Sequence, residues 1–105
     1  MHIAKLTIGG GAAGDVNDLL NRIDGDLVGP YSIAEGFVGY FNVADPSDPS
    51  IAYTVRVFAD EATLQTASAA LSGAQGAIVT DFALTVDAVV ANDLSAGAAY
   101  ALTMA

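Results

Sequence analysis

Two neighbouring runs constrain the fold of this chain more than any other feature: "EGFVGYFNVAD" (35–45) and "IAYTVRVFAD" (51–60). Both are rich in aromatic and β-branched residues, which suit strands. Between them lies "DPSDPS", a polar turn with two prolines. The simplest reading is two strands joined as an antiparallel hairpin. Each run is largely apolar on both faces, so the hairpin needs cover on both sides.

The flanking segments suggest what supplies that cover. Residues 2–8, "HIAKLTI", put Ala4, Leu6 and Ile8 on one face and Ile3, Lys5 and Thr7 on the other, the period of a strand. Asp15 is placed to cap a helix. Val16, Leu19, Leu20, Ile23 and Leu27 then form one apolar stripe, with Asn17, Asp18, Asn21, Arg22, Asp24 and Asp26 opposite. Gly29-Pro30 reads as its stop. Asp60 can cap a second helix to about Leu71, ended by Gly73. "GAQGAIVT" (73–80) fits either more helix or a loop, and "FALTVDAVVA" (82–91) fits a last strand. The order is βαββαβ: an α+β, ferredoxin-like split βαβ with an antiparallel sheet. One domain is expected over 1–105, with 1–91 as core and 92–105 as a small, apolar tail.

A chain of 105 residues holds one core. Hydrophobic residues reach 53% and the mean hydropathy is +0.50, more apolar surface than so small a domain hides. A homodimer interface is the natural outlet. The net charge is −9, and Lys5, Arg22 and Arg56 are the cations. Nucleic acid and anionic membrane surfaces are therefore excluded as partners. With no cysteine there is neither a disulfide framework nor a thiolate metal site. "MHIAKLTI" lacks the pattern of a signal peptide, and no apolar stretch reaches the roughly 18 residues of a membrane span. The cytoplasm is the expected location.

Gly9, Gly11 and Gly14 complete a G-x-G-x-x-G between the first strand and helix. A dinucleotide site would also need an acidic residue at the end of the second strand, whereas Glu35 precedes it. The glycines read as a strand-to-helix loop, and no cofactor is expected. His2, the one histidine, reads as an edge or surface residue, and a zinc site is not expected. Asp45 and Asp48 read as turn chemistry rather than a cation site. Arg56 stands apart because it interrupts an apolar strand. It either snorkels at a sheet edge or pairs with a carboxylate such as Glu35, or it floors a pocket for an aromatic or anionic small ligand. Thr54, Arg56 and Phe58 share its face. Tyr40 and Asn42 join them if even positions face even positions across the hairpin.

"EGFVGYFNV" resembles the G-F-x-x-Y strand of antibiotic-biosynthesis-monooxygenase-like proteins, of the dimeric α/β-barrel superfamily. "YTVRVFADEATLQTASAAL" is similar to their next strand and helix; Phe58 falls where the family often has Trp, and Asp60 at the capping position. The resemblance spans about residues 35–71. It implies a ferredoxin-like sheet packed face to face with a second copy, and a cavity between sheet and helices for small, often aromatic molecules. The first expectation is a homodimer binding a small aromatic or apolar ligand near Tyr40, Asn42, Thr54, Arg56 and Phe58. The second is a cofactor-independent monooxygenase acting on a phenolic or quinone-type substrate. The third is a structural or protein-interaction module without an enclosed cavity.

Overall fold

A computed structural model describes residues 1–91; the expected tail lies outside the described residues. Strands β1 (His2–Thr7), β2 (Phe37–Ala44), β3 (Ile51–Phe58) and β4 (Thr85–Ala91) form one sheet in the order β2-β3-β1-β4. Every neighbouring pair is antiparallel. β1 and β2 therefore run parallel with β3 inserted between them, the split βαβ of a ferredoxin-like fold.

Helix α1 (Val16–Ile23) starts where its cap allows. The Asp15 carboxylate accepts from the Asp18 N–H and the Asp18 carboxylate from the Asp15 N–H, both at 3.0 Å. This is a reciprocal capping box with Asp in place of Glu. Val16, Leu19 and Ile23 are buried, as their spacing implies. The helix does not stop at Gly29-Pro30, however. It widens into a π turn, Asp24–Val28, and continues as α2 (Gly29–Ser32). Pro30 lacks an N–H, and its ring crowds the carbonyl four residues back. That carbonyl belongs to Asp26, inside the π turn, where the looser ladder absorbs the conflict. The continuation carries Tyr31 into the core, with no exposed surface.

Asp60 caps α3 (Glu61–Ala70), accepting from the Thr63 N–H at 2.8 Å. Gly73 does not end the helical region: after a break at Leu71, α4 (Ser72–Asp81) runs straight through it. β4 begins later than its apolar run because Phe82 terminates α4 and is buried there. In the hairpin, Tyr40 faces Arg56 and Asn42 faces Thr54. Its turn is held by its own side chains: Asp45 accepts from the Ser47 and Asp48 N–H groups, and Asp48 from the Ser50 N–H and hydroxyl.

The helices cover one face of the sheet. Ala4, Leu6, Ala52 and Phe58 pack there with Leu19, Ile23, Leu27, Tyr31, Leu64 and Ile78. The other face carries Ile3, Val43, Tyr53, Val57 and Phe41, the last 53% exposed. No helix among the described residues is long and apolar enough to cross a membrane.

Candidate functional site

Between the helix layer and the sheet lies a cavity of about 210 Å³. The sheet contributes His2, Ala4 and Leu6 from β1, Tyr40 from β2, and Thr54 and Arg56 from β3. Ile23, Leu27, Gln75 and Ile78 line it from the helices, with Val79, Leu84 and Val86 completing the wall. Val79 and Val86 are partly exposed, so the cavity reaches solvent on that side.

Arg56 organises its polar end. β3 is an interior strand, which excludes a sheet-edge setting, and Glu35 is not among its hydrogen-bond partners. Arg56 Nη1 donates to the Tyr31 hydroxyl at 2.8 Å and to Gln75 Oε1 at 3.3 Å, with the Ser68 hydroxyl at 3.5 Å. Arg56 Nη2 lies 3.0 Å from His2 Nδ1. The guanidinium also sits 5.5 Å from the centre of the Tyr31 ring, within cation–π range. Among the described residues its hydrogen-bond partners are two hydroxyls, an amide and an imidazole, and none is a carboxylate.

These contacts fix a tautomer. A guanidinium has donors only, so His2 Nδ1 accepts and the proton of the neutral ring sits on Nε2. Burial, then the Arg56 charge, holds the His2 pKa below its ordinary value; the N-terminal amine acts the same way and Glu61 opposes them. The Tyr40 hydroxyl is pushed up by burial, an effect that Thr54 and Arg56 reduce. Among the described residues, two buried polar atoms of β3, Arg56 Nε and Thr54 Oγ1, lack a hydrogen bond of full geometry, Thr54 interacting with the Tyr40 hydroxyl alone.

The five residues singled out in the sequence are close together but not in one space. Tyr40, Thr54 and Arg56 line the cavity. Asn42 opens instead, beside Tyr40, into a groove of about 680 Å³ between the β2 edge and α1. Phe58 is 1% exposed and packs edge-on to Tyr31 and Phe37, with ring centres 6.0 and 5.7 Å away.

The sequence reading missed His2, Tyr31, Ser68 and Gln75. His2 is not an edge residue: β1 lies between β3 and β4, and the register sets His2 opposite Arg56. Tyr31 follows Gly29-Pro30, which reads as a stop, and Gln75 lies in 73–80, which fits either helix or loop. The Pro30 signal was present but outweighed by the π turn; Ser68 carried no signal.

The glycine loop is already occupied by its own chain. The carboxylates of Asp15 and Asp18 sit at the N-terminus of α1, where a phosphate would bind. The Ala13 N–H donates to the Asp81 carbonyl at 2.8 Å. A Cβ on Gly9 would lie 2.5 Å from the Ala83 carbonyl oxygen, and Gly11 has φ +83°. Close packing and a left-handed turn therefore account for these glycines. Among the described residues, no group of three or more His, Asp or Glu could hold a metal ion.

No family model matches the chain, and no curated protein matches it. Among solved structures it is similar to a candidate antibiotic biosynthesis monooxygenase from Deinococcus radiodurans, at 17% identity and a TM-score of 0.62. The alignment covers 99% of this chain and 100% of the other. At that identity the likeness is one of fold.

Proposed function

We propose that this protein is a homodimer that binds a small aromatic or apolar molecule in the cavity between sheet and helices. The observation that carries this reading is Arg56, whose partners at the cavity wall among the described residues are all neutral groups. Taking an uncompensated charge out of water is costly; Arg56 is half-buried, and a ligand reaching the guanidinium would offset part of that cost. The remaining walls are mostly apolar and suit a hydrocarbon body. A second copy packed on the outer sheet face would cover Phe41 and its neighbours.

A second reading, a cofactor-independent monooxygenase acting on a phenol, is favoured by the same cation. A guanidinium near Tyr40 and His2 would stabilise a phenolate, and the substrate's own carbanion would react with oxygen. The cavity itself argues against a purely structural module.

Native mass spectrometry tests the assembly: a dimer near twice 10.6 kDa is expected, and a stable monomer would sink it. Thermal stabilisation by small aromatics without turnover would support a binder. Oxygen uptake with a dihydroxyaromatic would replace that reading with the enzyme.

A further inference from the structure

Arg56 and Thr54 are alternate residues of β3, so their side chains leave the same face of the sheet, and both line the cavity. Thr54 is only 7% exposed; its hydroxyl interacts with that of Tyr40 without a hydrogen bond of full geometry, and Arg56 Nε has no hydrogen-bond partner among the described residues. Buried polar atoms are nearly always satisfied, so two such atoms on one cavity wall mark the place of a missing acceptor. We infer that the cavity takes a compact apolar monocarboxylate, its two oxygens accepting from Arg56 Nε and Thr54 Oγ1. The inference rests on reading the cavity as a ligand site and adds the chemistry of what enters it.

Several features select a carboxylate over its rivals. Nη1 and Nη2 are engaged by Tyr31, Gln75 and His2, which fixes the plane of the group and leaves Nε as the guanidinium nitrogen without a partner among the described residues. An ionised carboxylate only accepts, and it has two oxygens for two donors. A phenolate gathers its charge on one oxygen, which would have to meet both donors at a single point, whereas a carboxylate offers each donor its own oxygen. A phosphate brings a second charge, for which the cavity holds no second cation among its lining residues. Around this polar corner stand Ile23, Leu27, Ile78 and Leu84, which suit a hydrocarbon body. The volume, below the roughly 300 Å³ at which typical ligand pockets begin, limits that body to about one ring.

The test is a titration of the full chain with benzoate, benzamide, phenol and toluene, followed by calorimetry and by the arginine Nε–H resonances. Arg22 and Arg56 are the two arginines, so the Arg22 signal serves as an internal control. Benzoate is expected to bind about tenfold or more tightly than the other three and to move the Arg56 Nε–H alone. Thr54→Val, which keeps the shape and removes the hydroxyl, is expected to weaken benzoate and leave toluene unchanged. Benzamide binding as well as benzoate would overturn the carboxylate and leave the cavity reading standing. Phenol binding most tightly would overturn it in favour of a phenolate. No binding by any of the four would overturn the inference and the ligand reading together.

Discussion

Arg22 and Arg56 are the same side chain in opposite settings. Arg22 lies on α1, about a third exposed, with Asp26 2.5 Å from its Nε and Asp81 2.8 Å from its Nη1. Arg56, also only half-buried, is held at the cavity wall by hydroxyl, amide and imidazole groups. With twelve acidic residues against three basic ones, a cation in this chain has ample opportunity to find a carboxylate. The surface arginine is compensated by its own chain and has no need of a visitor. The one at the cavity wall has neutral partners and an Nε without a partner among the described residues, the condition that the proposed ligand site requires.

The largest expected effect lies on the interior side of that comparison. Tyr31 is fully buried, packs on Tyr40 and Phe58, and donates to Gln75 at 2.5 Å. Tyr31→Ala should cost about 3–5 kcal/mol, the range for emptying a buried aromatic site, read as a lower urea midpoint at unchanged slope. A loss below about 1 kcal/mol would mean that the arginine network does not stand on a packed core.

Arg56→Met separates charge from packing. Replacing a buried ion by a hydrophobe of similar volume is often neutral or stabilising, whereas breaking a compensated pair costs about 3–5 kcal/mol. Arg56 has no carboxylate partner among the described residues, so the variant should stay within about 1 kcal/mol of wild type while losing carboxylate binding. A penalty of 3 kcal/mol or more, on the scale of a broken buried pair, would make Arg56 a structural tie and erase its contrast with Arg22.

The two settings also differ in how far the sequence revealed them. The helix caps at Asp15 and Asp60, the hairpin and its Asp-Pro turn were legible because each is decided within a few residues. Whether Tyr40 and Asn42 share a face with Thr54 and Arg56 hung on a hairpin register that local pattern does not fix; the fold sets Tyr40 opposite Arg56 and Asn42 opposite Thr54. The Arg56 network was not legible. Its partners His2, Tyr31, Gln75 and Ser68 lie 54, 25, 19 and 12 residues away. One of them depends on a helix that passes through a proline. Tertiary packing assembled this cluster, and no spacing rule describes it.

A smaller effect concerns His2. Its pKa in the fold is below the ordinary 6.5, so as pH falls the unfolded chain takes up this proton first. The His2 contribution should be complete above about pH 6.5 and lost as the pH falls through the lower folded value. Because His2 is only half-buried, the loss is modest. His2→Gln should remove this component while its amide oxygen still accepts from Arg56, so urea midpoints of the two proteins should diverge between about pH 7 and pH 5. Parallel curves would show that His2 titrates freely and that the Arg56 contact is not made in solution.

The smallest effect belongs to the surface arginine, and its smallness is what the comparison requires. Asp26 and Asp81 hold Arg22 in partly exposed pairs, where water and salt screen the attraction and ordering long side chains opposes it. The two aspartates also raise the Arg22 pKa, keeping it charged throughout the accessible pH range. Arg22→Gln should therefore shift the urea midpoint slightly at low ionic strength, and the shift should shrink as salt is added. Benzoate affinity should not change, since Arg22 does not line the cavity. A large, salt-independent loss would mean that the bridge from α1 to the end of α4 holds the cavity wall in place. The surface and interior arginines would then be parts of one device, with Asp81 as the link between them.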